Sequence, residues 1–235
     1  MTKRILIILL ILSFALISTG DVLASSSKAI ALTLKVTGDV KVQKTGADKA
    51  VPLNFGTPLD DGDKIRTGDD GFVSLIFADD KSQIKLRPNT EVVINGKRDA
   101  QSNITKRVTM EIGEVFARVE KQRGTLEVAT PTSVASVKGT EFWVVVEEDG
   151  TTTVYTIQGL IELLNRVSGT VVEVAPGQQG TSDPQGGNEV GEGTPGEDLQ
   201  EPEDEGEMPR TMEIYLKDPD GRTRTVILQY LEEAE

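Results

Sequence analysis

Apolar and polar positions alternate in short runs along residues 29–175, and no stretch there keeps a 3.6-residue apolar period for three turns. Gln83-Ile84-Lys85-Leu86 and Leu126-Glu127-Val128 show the period of two expected of half-buried strands. The runs recur every eight to twelve residues and close on turn signals such as Thr37-Gly38-Asp39, Ala78-Asp79-Asp80 and Arg87-Pro88-Asn89. The pattern predicts strands at 31–36, 40–44, 72–77, 82–86, 91–94, 105–112, 115–119, 125–129, 142–146, 152–157, 160–164 and 170–174. Phe142-Trp143-Val144-Val145-Val146 is apolar throughout, which predicts a central strand covered on both faces. The body is therefore all-β, and its size is sufficient for a core without covalent staples.

Two segments outside the body read differently. Residues 1–24 carry Lys3 and Arg4, an Ile/Leu-rich stretch from Ile5 to Ile17, and Val22-Leu23-Ala24, the order of parts in a cleaved export signal. The apolar stretch is short of the ~20 residues of a spanning helix, so the expected mature chain begins at Ser25, is not membrane-spanning, and is periplasmic or secreted. Near the other end, Met212–Lys217 and Thr223–Tyr230 alternate around Asp218-Pro219-Asp220-Gly221, which carries type I turn chemistry. A C-terminal β-hairpin within 210–235 is predicted, with Ile214, Leu216, Val226 and Leu228 on a face that needs cover. The body or the sheet edge of a partner would supply it.

Charge separates these parts. The 235-residue chain has a net charge of −13, yet residues 176–209 hold ten acidic residues, no Lys or Arg, eight Gly and five Pro. With +1 on residues 1–24 and −2 on 210–235, only −2 is left for 25–175. Such an acidic Gly/Pro-rich stretch is expected to be a disordered linker. The absence of a basic block argues against a nucleic-acid partner. With no Cys and no His, thiol nucleophiles, His-based triads, Cys-ligated zinc or iron–sulfur sites and His metal clusters are excluded.

Candidate chemistry is thin. Asp60, Asp61 and Asp63, with Asp69 and Asp70 close behind, are hard oxygen donors at short spacing, and they define a calcium site as one reading. Asp is also a common turn residue. Gly62, Gly68 and Gly139 fall at expected strand ends. Trp143, the only Trp, is either core or a ligand platform. Glu141, Glu147 and Glu148 are the carboxylates a glycosidase would draw on, and Ser136 with Lys138 is a generic Ser–Lys pair. None of these carries an enzymatic assignment, and no cofactor is expected.

Two stretches resemble the FecR domain, a periplasmic module of bacterial envelope proteins. Gly56-Thr57-Pro58-Leu59-Asp60-Asp61-Gly62-Asp63-Lys64-Ile65-Arg66-Thr67-Gly68, followed by Val73–Asp79, is similar to its G-x-P-L-x-x-G-D-x-I-x-T-G run and the strand after it. Ala129-Thr130-Pro131 with Ala135–Phe142 resembles its T-P-x-x-x-A-x-V-(R/K)-G-T-x-F run, and Ile157–Ile161 fits the glycine-bearing strand beyond. Asp79-Asp80-Lys81-Ser82 stands where the family has a shorter Asp-Gly-Ser turn, so a longer loop is expected. The resemblance implies short strands wound as a β-roll or short β-solenoid, with a β-sandwich as the alternative. It also implies action by protein contact rather than catalysis. The family's iron-transport regulators join a cytoplasmic anti-sigma segment and a membrane helix to this sensor, whereas the present sequence corresponds to the exported module. The expected function is a protein- or envelope-polymer-binding module, with a calcium-dependent structural or matrix component of the cell surface as the alternative.

Overall fold

In a computed structural model, residues 29–100, 103–119, 125–137 and 139–199 are described in full, and 211–217 and 223–229 by their backbone. The expected signal segment and the hairpin turn at 218–221 lie outside the described residues, as does Lys138.

The body is strand after strand: β1 (Ala31–Thr37), β2 (Val40–Gln43), β3 (Val51–Pro52), β4 (Pro58–Leu59), β5 (Asp63–Thr67), β6 (Phe72–Phe77), β7 (Gln83–Leu86), β8 (Glu91–Arg98), β9 (Ile104–Arg118), β10 (Leu126–Ala129), β11 (Ser133–Val137), β12 (Glu141–Val146), β13 (Thr152–Gln158), β14 (Ile161–Asn165), β15 (Val171–Val174), β16 (Gln178–Ser182) and β17 (Asn188–Glu192). They form one continuous sheet that folds over on itself into two layers. Layer A runs β4-β1-β6-β7-β9-β12-β13-β16-β17, and layer B runs β3-β2-β5-β8-β9-β10-β11-β14-β15. Every pairing is antiparallel except β9 with β10. The pairings show an all-β protein whose sheet is folded once, at β9; they do not establish the roll or solenoid winding that the resemblance implied.

The long strand is the joint. Ile104–Ile112 pairs with β8 in layer B, while Gly113–Arg118 pairs with β12 in layer A. The sequence pattern divided this stretch into two strands, 105–112 and 115–119, and the structure corrects that reading. Gly113 takes φ +107°, and an added Cβ would lie 2.5 Å from the Thr90 Cα, so the backbone turns between layers without leaving the ladder.

Alternation places one face of each layer in a shared core. Ile84, Leu86, Val115, Ala117, Phe142, Val144 and Val154 of layer A meet Ile65, Val92, Ile94, Val108, Val128 and Leu163 of layer B, all essentially inaccessible to solvent.

The disordered linker expected over 176–209 is the second correction. Its first part is a hairpin, β16–β17, laddered onto β13. Apolar burial does not hold it there. Asn165, fully buried on β14, donates through Nδ2 to Ser182 Oγ, Asp183 O and Gly187 O at 2.9–3.0 Å, while Asn188 Nδ2 donates to Leu163 O and Thr170 O. Gly180 lets the hairpin approach so closely that an added Cβ would sit 2.5 Å from Val174. Polar satisfaction and close backbone approach order a segment whose composition offers little to bury. Residues 200–209 of the expected linker lie outside the described residues.

The C-terminal hairpin is present as β18 (Thr211–Lys217) and β19 (Thr223–Gln229), antiparallel in a two-stranded sheet of its own, with Ile214 opposite Val226.

Candidate functional site

The outward face of layer A is built by strand register. Ser74, Lys85, Phe116, Trp143, Tyr155 and Gln179 are opposite one another on β6, β7, β9, β12, β13 and β16, so they form one row across the sheet. Their chain neighbours point into the core, which fixes this row on the opposite face. Phe116 and Trp143 stack with centroids 5.3 Å apart at 56°. Lys85 Nζ lies 5.9 Å from the Phe116 centroid and Arg118 Cζ 5.7 Å from it, so two cations border the aromatic patch. Arg118 also pairs with Glu141 at 3.3 Å.

Phe116 and Trp143 have no accessible surface because a strap covers them. After β17, Gly193 N donates to Gly177 O, and the chain crosses the strands to a short 3-10 turn at Glu197–Leu199. Leu199, 7 % exposed, seats on Phe116 and Trp143, with Val145 and Tyr155 alongside. Arg87 donates through Nη2 to the Asp198 carbonyl at 2.9 Å. The seal is incomplete. A cavity of about 410 Å³ remains, lined by Trp143, Thr156, Ile157, Gly177, Pro195 and Leu199 among others. Trp143 Nε1 is buried with no hydrogen-bond partner, an unmet donor of the kind folded proteins rarely keep. The apolar run 142–146 is thus covered on both faces as expected: Phe142, Val144 and Val146 by the core, Trp143 by the strap. Of the two readings of Trp143, its burial fits core packing, in a small second cluster with Phe116 and Leu199.

The other candidate residues fall elsewhere. Asp63, 1 % exposed, accepts from Lys44 Nζ at 2.5 Å and from the backbone N–H groups of Thr45 and Asp60. Asp60 is 3.5 Å from the same ammonium, and Asp61 accepts from Gly96 N. A lysine therefore stands between two of these three carboxylates, and among the described residues no three acidic groups gather as a metal would need. Glu141 and Glu147 flank opposite ends of β12, about 20 Å apart at strand rise, well beyond the 5–10 Å of a glycosidase pair. Glu147, Glu148 and Asp149 line an open cleft of about 740 Å³ with Arg87, Asn89 and Glu114. The Asp149 carboxyl is held below its usual range by the Thr151 N–H, a turn contact rather than a catalytic one. Ser136 pairs opposite Glu127 and Glu162 in layer B, remote from this face. Gly62 and Gly139 have φ of +85° and +65° at strand ends, while Gly68 packs against Asp39.

One charged cluster escaped sequence reasoning. Lys106, fully buried, pairs with Asp79 at 2.9 Å and Asp80 at 2.6 Å, and its ammonium lies 5.5 Å from the Phe77 ring centroid. The longer loop at 79–82 is what supplies both carboxylates. Burial works to raise the Asp80 pKa, but the bonds from Lys106 and Ser82 outweigh it and hold the carboxyl below its usual value. Glu91 behaves likewise, burial being overcome by Lys64 and Arg66.

No curated protein matches the chain. Two crystal structures from Parabacteroides distasonis ATCC 8503, each assigned as an anti-sigma factor, are similar at 21 % and 20 % identity with TM-scores of 0.46 and 0.47. Each match covers 55 % of this chain and 59 % of that one. The present chain thus aligns with about three-fifths of their length. Residues 63–162 match the family model described as FecR protein. That span runs from the start of β5 into β14 and includes Phe116, Trp143 and the Lys106 cluster. Over residues 63–162 the chain is similar to the FecR family.

Proposed function

We propose that the chain is an exported, non-catalytic FecR-domain module that acts in signalling by holding a protein partner of the cell envelope on the outer face of layer A. The observation that carries this reading is the row Lys85–Phe116–Trp143–Tyr155, an aromatic and cationic face already engaged with a peptide segment. Aromatic and Arg side chains are the groups that anchor protein contacts. Export follows from the signal-like residues 1–24, and the signalling role from the regulatory character of the family.

The test places a photo-crosslinking residue at position 157. Ile157 is 42 % exposed and lines the cavity beside Trp143. Irradiation of intact cells is expected to yield one defined protein adduct, absent when the same residue is placed at Val51, an exposed position on layer B. Equal adducts at both positions, or adducts to polymer alone, would refute the reading. Fractionation and N-terminal sequencing of the mature chain check export and cleavage after Ala24.

A further inference from the structure

The strap has the character of a ligand more than of a structural element. Residues 194–199 add no strand to either layer, and a single apolar side chain, Leu199, anchors them. Their described polar hold is Arg87 on one carbonyl, with Gly193 bonding to Gly177 at the near end. Beneath them lie an unfilled cavity of about 410 Å³ and an indole N–H with nothing to donate to. A segment so held opens at far lower cost than the laddered strands around it.

The chemistry of the face specifies what else would fit. Phe116 and Trp143 ask for an aliphatic or aromatic anchor. Trp143 Nε1 asks for an acceptor, which a peptide carbonyl supplies. Lys85, Arg87 and Arg118 border the patch, Arg87 and Arg118 also paired with Glu114 and Glu141, and the strap that Arg87 holds by the Asp198 carbonyl carries two acidic residues, Glu197 and Asp198, so acidic flanks suit this margin.

We infer that the outer face of layer A is a groove for an acidic, apolar-anchored peptide segment of a partner protein, and that residues 194–199 are the in-chain occupant such a segment displaces. The inference rests on the protein-contact role proposed above and names the chemistry of the partner. Because the strap is tethered next to its site, it competes at an effective concentration on the order of millimolar. A displacing segment gains over it by filling the cavity and accepting from Trp143 Nε1.

Trp143 is the sole Trp, so its emission reads the groove directly. In the full mature chain, Leu199→Ala is expected to shift that emission to the red and to raise acrylamide quenching several-fold with circular dichroism unchanged. Arg87→Gln loosens the strap without deleting an apolar contact and is expected to shift emission the same way, which keeps the test open if the first variant misfolds. The synthetic peptide Gly193–Leu199, added to Leu199→Ala, should return the emission to the blue in a saturable titration. Wild type should bind it at least about tenfold more weakly, because its own strap competes. The peptide carrying Glu197→Lys and Asp198→Lys should bind at least about tenfold more weakly to either form. Unchanged emission in both variants overturns the cover. Equal binding of the two peptides overturns the acidic partner, and recovery that tracks dimer formation in size-exclusion chromatography makes a second copy the occupant instead. A specific adduct at position 157 with no peptide binding would leave the protein-contact role standing and remove this inference alone.

Discussion

Lys106→Met removes a charge and keeps the bulk, which isolates the electrostatic part of the buried cluster. The wild-type ammonium is inaccessible, and the side chains of Asp79 and Asp80 are 8 % and 11 % exposed, so neither carboxylate can turn to water once the lysine is gone. Two charge-assisted hydrogen bonds disappear and two carboxylates are stranded, a loss of about 3–5 kcal/mol for a broken buried pair. In a chain of this size that lowers the melting temperature by roughly 6–20 °C. Urea denaturation at pH 7 measures the loss directly. Combining Lys106→Met with Asp79→Asn and Asp80→Asn is expected to recover part of the stability, because no unpaired charge is left. The pH dependence supplies a sign. In wild type the Asp80 pKa lies below its unfolded value near 4, so its contribution is present above about pH 4 and is lost as pH falls through the folded value. In Lys106→Met the stranded Asp80 has its folded pKa above the unfolded one. The deficit is then greatest at neutral pH and narrows as pH falls toward about 4. A loss below about 1 kcal/mol at pH 7, or a deficit constant from pH 7 to pH 4, would refute the reasoning.

Gly113→Ala puts a Cβ against the Thr90 backbone at a left-handed φ and should cost about 2–3 kcal/mol in chemical denaturation. Asn165→Ala removes the side-chain amide that ties Ser182, Asp183 and Gly187 to β14, and hydrogen exchange should accelerate across Gln178–Glu192 well beyond its rise in β12. Glu91→Gln loses the pairing with Lys64 and Arg66 on a partly exposed face. The expected cost is below about 1 kcal/mol at pH 7 and is lost as pH falls through the folded Glu91 pKa, which lies below its unfolded value.

Strands with strong β-formers were legible: Phe72–Phe77, Gln83–Leu86 and Phe142–Val146 stand where their pattern puts them. Asp63–Thr67 and Ser133–Val137 were not read as strands, because charged and small residues mask an alternation that burial makes plain. The β16–β17 hairpin was hidden for a deeper reason. Composition registers what a segment can bury, while this one is ordered by amide side chains belonging partly to β14. Of the site, the run at 142–146 announced that something covers Trp143. What covers it is Leu199, lone among acidic and glycine residues and more than fifty positions later, and pairing at that separation leaves no periodicity to read. Lys106 carries no signal in the sequence, because its partners Asp79 and Asp80 come from a turn more than twenty positions earlier.

The shared strand bears on how the molecule comes apart. A two-layered β protein whose layers are separate sheets can shed one and keep the other as a partly folded form. Here Ile104–Ile112 and Gly113–Arg118 are one backbone, laddered to β8 and β10 on one side of the bend and to β7 and β12 on the other. Neither layer can lose its central strand without breaking the other. The body should therefore melt in a single transition, with calorimetric and van't Hoff enthalpies in agreement. It should also refold slowly, since β9 must find partners from both halves of the chain before either half is stable.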